Sequence, residues 1–341
     1  MLTLGIETSC DETSVAVVRD GREILSNVIL SQADHSKFGG VVPEVASRAH
    51  LKTIIPIYKQ ALSEAKVDLG QIDLIAATMG PGLVGALLVG LSYAKGLAFA
   101  LSKPFVAVNH IEGHLAANYL QHANLSQHHL SLIVSGGHTM LVDVAQFGEY
   151  EVLGRTKDDA VGEAFDKVAK LMGLGYPGGG RLDQLSQSGD PTYHKFPRAL
   201  LKGDDYQFSY SGLKTAVALY IAKLTPEQLE RHKADIAASF QEAAVEVLVE
   251  KALRAAGERQ IRDIALAGGV AANSRLRSMF TERADSNRNR IFWPRPELCT
   301  DNAAMIAAAG YYHFQKQGSS EFITNAVPYL PLEQSWSNSQ S

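Results

Sequence analysis

The sequence predicts an α/β protein made of two duplicated lobes, each a mixed sheet flanked by helices. Three observations carry this expectation. A triple of strand-like runs occurs twice, starting near residue 2 and again near residue 130. Each triple is followed by a helix-like segment, and each then continues into a strand, a glycine turn and another helix. The length agrees, because 341 residues suit two lobes better than one core.

The elements follow in order. "LTLGIE" reads as a buried strand, "TSCDET" as a polar turn and "SVAVV" as a second strand; Asp20-Gly21 then turns the chain into "REILSNVIL". Residues 43 to 66 form the first helical segment, followed by the strand, glycine turn and helix of "IDLIAATMGPGLVGALLVGL". "PFVAV" is a short strand that runs into a helix opening with "NHIEGH". The second set begins with "LSLIV", turns through "SGGHT", and continues as "MLVDVA" and "EYEVLGRT". Its helix is "DAVGEAFDKVAKL", and its strand–turn–helix is "DIALAGGVAANSRLRSMF". The expected lobes are residues 1–108 plus 296–325, and residues 109–295, with 326–341 a flexible tail. The Pro/Ser-rich strip from residue 316 reads as chain docked on the protein before it frays.

Glycine turns after strands place backbone N–H groups in hairpin loops or at helix N-termini, where they cradle anions. Two lobes with matching turns imply a central cleft that grips a nucleotide or another phosphate compound. Tight turning alone explains any single one of these glycines.

Composition narrows the class. A net charge of −4 argues against a protein coated in positive charge, and two cysteines, Cys10 and Cys299, argue against a disulfide framework. A reducing cytoplasm is the expected compartment. "MLTLGIETSC" lacks the basic start and apolar run of a signal peptide. The apolar stretch from Gly82 to Leu101 contains Ser92 and Lys95, is broken by Gly85, Gly90 and Gly96, and reads as a buried helix and not a membrane span.

"HIEGH" sets two histidines four residues apart, on one face of a helix. In the zinc-protease motif the glutamate adjoins the first histidine and serves the metal-bound water. Here Glu112 lies about 200° around the helix from His110, away from that water. Asp301, ahead of the helix in "CTDNAAMIA", offers a carboxylate, and two His plus one Asp suit Fe(II), Mn or Zn. A structural histidine pair is the plainer reading of the spacing alone. His122, His128 and His129 fall in a polar loop and read as solvated. Asp11 and Glu12, in the first hairpin turn, are the candidate proton acceptors, with Asp11 ahead; turn capping is the alternative. Cys10 reads as a small buried residue and not a nucleophile. Residues 251–290 hold nine cations, from Lys251 and Arg254 to Arg288 and Arg290, and form the candidate basic face.

"GIETSCDETSVAVV", "GGVVPEVASRAH", "GPGLVGALLVG", "NHIEGH", "VSGGHT", "DDAVGEAFDKVAKLMGLGYPGG", "FSYSGLKTA", "AGGVAANSRLR" and "CTDNAAMIA" follow one another along the chain. Together they closely resemble the bacterial tRNA adenosine threonylcarbamoyltransferases, the TsaD family once called glycoproteases or sialoglycoprotein endopeptidases. The resemblance spans roughly residues 1–315. After "YPGG" this chain continues with a third glycine and Arg181 where the bacterial pattern often has proline.

The resemblance implies the ASKHA fold of actin, Hsp70 and sugar kinases. It implies transfer of threonylcarbamoyl from threonylcarbamoyl-adenylate to the exocyclic amine of the adenosine beside the anticodon, with release of AMP. His110, His114 and Asp301 match the family's metal ligands, with Fe2+ expected and Zn2+ or Mg2+ as alternatives. Ile133, Val134, Ser135, Gly136 and Gly137 match its substrate-binding hairpin, and Asp166, Gly179, Asp183 and Asn273 match further substrate contacts. For Asn273, helix capping is an equal reading. ATP binding in the cleft is a further expectation. The implied partners are tRNA, a shorter ASKHA paralogue of TsaB type forming a heterodimer, and a P-loop ATPase of TsaE type; a homodimer is the alternative in isolation. Val45, Ile54, Ile55 and Ile57 are the candidate apolar face for the paralogue. Competing functions are an ATPase or phosphotransferase of the same fold, a nucleotide-dependent scaffold without transferase activity, and, last, a metalloprotease.

Overall fold

The computed structural model describes residues 1–32, 40–284 and 289–335. In chain order the strands and helices are β1 (Leu2–Glu7), β2 (Glu12–Arg19), β3 (Glu23–Ser31), α1 (Pro43–Ala65), β4 (Leu74–Gly80), α2 (Val84–Leu101), β5 (Phe105–Asn109) and α3 (His110–Gln121). There follow β6 (His129–Val134), β7 (Thr139–Gln146), β8 (Glu149–Arg155), α4 (Val161–Leu171), α5 (Gly179–Ser186), α6 (Ser211–Ile221) and α7 (Pro226–Arg259). The chain ends with β9 (Asp263–Ala267), α8 (Ser274–Arg283), β10 (Arg290–Phe292), α9 (Pro296–Cys299) and α10 (Ala303–Gln317).

The chain divides into two compact units. The first holds residues 1–125, 147–150 and those from 294 on; the second holds residues 126–146 and 151–293. The division differs from the expected lobes at both joins. Residues 109–125 fall in the first unit because α3 packs along α10. The segment 147–150 joins them through Phe147, whose ring lies 5.3 Å from that of Tyr312.

The first unit is a five-stranded sheet in the order β3-β2-β1-β4-β5. β1–β2 and β2–β3 pair antiparallel, whereas β1–β4 and β4–β5 pair parallel. Alternation along the strands divides the side chains between two layers. Ile75 and Ala77 join Ile54, Ile57, Leu91 and Ala94 of α1 and α2 on one face. Leu74, Ala76, Val106 and Val108 meet Ala116 of α3 and Met305 and Ile306 of α10 on the other. Gly113 explains itself here: a Cβ would stand 2.7 Å from Ile306 Cδ1, so glycine lets α3 lie close on α10.

α2 is long and apolar enough to cross a membrane by length and composition. It lies on the sheet with Leu87, Leu91, Ala94 and Ala98 buried and with Val84, Leu88 and Phe99 exposed, so it is a half-buried helix. The strip after α10 is docked as expected through residue 335: Val327 N–H donates to Met79 O at 2.7 Å, Asn109 Nδ2 donates to Leu330 O at 3.3 Å, and Leu330 and Leu332 are buried. The expected flexible tail therefore does not begin at 326, and its residues 336–341 lie outside those described.

The second unit repeats the order as β10-β9-β6-β7-β8, with β6–β7 antiparallel and β6–β9 and β9–β10 parallel. α7 packs against α5, α6, α8 and the sheet strands β6 and β9. Thr225 starts it with a capping box, its hydroxyl accepting from Gln228 N at 3.2 Å, and Pro226 stands at the first helical position. The predicted duplication is thus present in strand order as well as in element sequence.

Candidate functional site

In the first unit the carboxyl ends of β1, β4 and β5 carry polar groups where an apolar sheet would otherwise end. Asn109 caps α3, accepting from Ile111 N at 2.8 Å, so His110 begins the helix directly at the strand end. One turn later comes His114, fully buried. Asp301 stands just ahead of α10, whose cap is Asn302. Asp301 Oδ1 is 3.4 Å from His110 Nε2 and 3.3 Å from His114 Nε2.

These distances fit a shared cation: two ligands each about 2.1 Å from one ion stand about 3.0–3.4 Å apart. The ligand atoms of all three residues lie within 4.8 Å of one another. Neither ring nitrogen of His114 makes a hydrogen bond among the described residues, although both are buried. A buried, unsatisfied nitrogen aimed at a carboxylate and a second imidazole is what a divalent ion would satisfy.

Glu7, which the sequence reading passed over, completes the set. It is fully buried at the end of β1, and its Oε2 lies 3.0 Å from His110 Nδ1 and accepts from Thr78 Oγ1 at 2.6 Å. Ser9 N–H donates to its other oxygen. A carboxylate on Nδ1 holds the imidazole with Nε2 turned toward Asp301. Burial pulls the His110 pKa down, but Asp301 and Glu7 outweigh it and hold the imidazole well above its ordinary value. Burial likewise opposes ionisation of Asp301, and the two histidines overcome it, leaving that carboxyl well below the usual range. The signal for Glu7 was a lone carboxylate closing a buried apolar strand.

Glu112 faces elsewhere, as the helical angle requires. It is fully buried, accepts from Tyr150 Oη at 3.0 Å, and has His313 Nε2 3.5 Å from its second oxygen. The carboxylate is engaged by α10 and the 147–150 segment.

Asp11 and Glu12 sit at the β1–β2 turn in the same unit. Burial, then the charges of Asp301 and Asp11, push the Glu12 carboxyl up to about 9. Cys10 is half-buried, and burial followed by the Asp11 charge pushes its thiol up, so it is a poor nucleophile.

In the second unit the residues singled out by the resemblance lie at the end of β6 and the turn after it, on α4 and α5, and at the start of α8. Ile133 and Val134 are the last residues of β6, and Ser135, Gly136 and Gly137 form the turn into β7. Ser135 N donates to His138 O at 2.8 Å, whereas the N–H groups of Gly136 and Gly137 make no hydrogen bond among the described residues. Gly268, at φ +87°, lies so close to Val134 O that a Cβ would stand 2.4 Å away. Asp166 on α4 accepts from Gly178 N at 2.8 Å and Gly179 N at 2.9 Å, which holds the start of α5. Asp183 on α5 takes Ser274 Oγ at 2.7 Å and Ser274 N at 3.1 Å. Asn273 caps α8, accepting from Leu276 N at 2.9 Å and donating to Gln241 Oε1 at 2.8 Å. Both of its polar atoms are engaged, as the capping alternative expects.

Two sequence expectations change. His129 is fully buried, and His128 pairs with Asp143 at 2.9 Å, so neither is a merely solvated loop residue. Most cations of the basic stretch are engaged by partners within the second unit. Arg259 pairs with Glu151 at 2.6 Å and Asp143 at 2.8 Å, Arg275 with Glu242 and Glu282, and Arg290 with Asp263 at 2.6 Å. Arg283 pairs with Glu250, and Lys251 and Arg254 hold carbonyls of residues 203–207. Arg288 lies outside the described residues.

The TsaD family profile, described as tRNA N6-adenosine threonylcarbamoyltransferase, matches residues 23–308. A protein of that name from Clostridioides difficile is 53% identical over 98% of this chain and 99% of its own length. One from Caldicellulosiruptor saccharolyticus is 51% identical over 97% and 98%. Among solved structures, component A of (R)-2-hydroxyglutaryl-CoA dehydratase from Acidaminococcus fermentans superposes with a TM-score of 0.58 at 15% identity, covering 93% of this chain and 98% of its own. HypF from T. kodakarensis reaches a TM-score of 0.62 at 16% identity, over 91% of this chain and 47% of its own. These likenesses show the ASKHA fold, and with half of all positions shared over nearly full length, the chain belongs to the TsaD family of tRNA N6-adenosine threonylcarbamoyltransferases.

Proposed function

We propose that the first unit of this t6A-forming transferase binds a divalent cation through His110, His114 and Asp301, that Asp11 accepts the proton of the attacking adenosine amine, and that the second unit holds the adenylate donor. The observation that carries the reading is the buried His–His–Asp set with Glu7 behind it. Bound there, the cation, for which Fe2+ is our choice and Zn2+ or Mg2+ the alternatives, would supply charge stabilisation to an anionic substrate group.

The chain's own groups do the rest. The exocyclic amine sheds a proton as its nitrogen bonds to the carbamoyl carbon, and the bond from that carbon to the phosphate oxygen breaks. Asp11 takes the proton, with the Glu12 carboxyl, pushed up to about 9 mainly by burial, beside it in the chain. The unpaired N–H groups of Gly136 and Gly137 suit a phosphate or a developing oxyanion. Ile133, Val134 and Ser135 shape that turn, and Asp166, Gly179, Asp183 and Asn273 frame the nucleoside portion, where carboxylates suit ribose hydroxyls. The same groups would accept ATP as a competitor.

The internal pairing of the basic stretch favours tRNA contact shared with partners. A groove of about 470 Å³ between α1 and α2, lined by Leu51, Ile54, Ile55, Leu88, Val89, Ser92 and Tyr93, supports docking of a TsaB-type paralogue on the first unit. Leu51 and Ile55 are exposed there, whereas Ile57 belongs to the core and Val45 is half-buried. A TsaE-type ATPase and a cytoplasmic setting complete the reading. Reconstitution with threonylcarbamoyl-adenylate and unmodified tRNA, with and without partners and cation, tests it. Modified adenosine that depends on the cation is expected; none with all components present sinks the reading.

A further inference from the structure

We propose that His50, in α1, is the positioning residue for the turn that carries Asp11 and Glu12; the inference rests on the reading of that turn as the proton-accepting one. The core-facing positions of α1 are Ala46, His50, Ile54, Ile57 and Ala61, all buried. A histidine with no exposed surface takes a place that packing alone would give to leucine or alanine.

The ring has a distinct task for each nitrogen. Nε2 lies 3.0 Å from the carbonyl oxygen of Cys10, and Nδ1 lies 2.8 Å from Thr13 Oγ1. A carbonyl only accepts, so the proton of the neutral ring sits on Nε2, and Nδ1 accepts from the Thr13 hydroxyl. Both contacts fall on the turn or its first strand residues, one on each side of Asp11 and Glu12.

Three successive carbonyls of this turn are tied to three different elements. Leu83 N donates to Ser9 O at 2.8 Å, His50 Nε2 to Cys10 O, and Gln32 N to Asp11 O at 3.1 Å. The first and third donors are backbone groups that any non-proline residue supplies. The middle one is a side chain, so it is the bond that a substitution removes. Without it the Cys10 carbonyl loses its partner and the peptide bearing Asp11 is free to rotate. A misplacement of about 1 Å costs up to about 100-fold in rate.

The test uses the full chain, with its partner proteins, threonylcarbamoyl-adenylate and tRNA. His50→Leu is expected to lose about 10- to 100-fold in kcat, with both KM values within about threefold and cation stoichiometry unchanged. His50→Gln, which keeps an N–H for the Cys10 carbonyl, restores most of the loss, and Thr13→Val gives a smaller loss in the same direction. In an Asp11→Asn background His50→Leu costs nothing more, because a positioning residue acts through the group it places. Wild-type kcat in His50→Leu, no rescue by Gln, or losses that multiply with Asp11→Asn overturn the inference. Should His50→Leu not fold, nitrogen-15 shifts of the native ring decide, and a proton on Nδ1 overturns it. Full activity of Asp11→Asn and Glu12→Gln instead removes the proton-acceptor reading, whereas an inactive Asp11→Asn beside an active His50→Leu removes only the role of His50.

Discussion

The two sheets share one strand order, yet the groups at their carboxyl ends have opposite character. In the first unit those ends carry the buried Glu7 and His110 and, nearby, the part-buried Asp301: carboxylates that hold an imidazole between them and suit a cation. In the second they carry bare N–H groups at Gly136 and Gly137 and a tight glycine at 268, which suit an anion. The scaffold decides where a site stands, and a few side chains decide what charge it accepts.

His114→Ala or Asp301→Ala breaks the cation side of this contrast most severely. Metal content by elemental analysis and turnover both fall, by more than the roughly 10- to 100-fold that loss of a supporting partner costs. Glu7→Gln is such a partner loss. It keeps the shape but weakens the hold on His110 Nδ1, and calorimetry shows cation affinity down by about 10- to 100-fold while the second unit's ligand sites are untouched. A wild-type affinity in Glu7→Gln means the carboxylate only fills the core.

Asp263→Asn tests the second unit alone. Burial opposes ionisation of Asp263, but Arg290 and the Ser126 N–H overcome it, so its pKa lies below the ordinary value. A depressed carboxyl stabilises the fold above the unfolded pKa, and that contribution is lost as pH falls through the folded one. Urea unfolding at pH 7 is expected to show a loss of about 2 kcal/mol in the variant, a gap that narrows on acidification below about pH 4.

Glu12 gives an effect of the opposite sign. Glu12, pushed up to about 9, favours the folded state while both folded and unfolded forms are protonated, and this is lost as pH rises above the unfolded value of about 4.3. Glu12→Gln in chelator-treated protein is therefore expected to raise Tm at pH 8 and to leave it unchanged near pH 4. Added cation shrinks the gain, since positive charge nearby already favours the ionised carboxyl.

Much of this was legible in the residues. Strand triples and glycine turns marked both sheets, because alternation and turn chemistry are local properties. The histidine spacing placed two ligands on one face, and Asp301 was visible as a carboxylate ahead of a helix. What remained hidden depends on distant pairing. Arg259 looked available because its partners, Asp143 and Glu151, lie about a hundred residues away along the chain. Glu7 and His50 each left a faint trace, a polar residue interrupting an apolar stripe, which alone does not say what it touches.

The division of the chain bears on how the molecule is made. Glu7, His110 and His114 precede the second unit in the sequence, and Asp301 follows it. A ribosome therefore delivers the entire second unit before the last ligand and α10 emerge. Folding proceeds by units as synthesis advances, so the second sheet can be complete while the first still lacks α10 and the strip that follows it. During that interval His110 and His114 stand without Asp301, so on the proposed reading the cation is captured firmly only after α10 has docked.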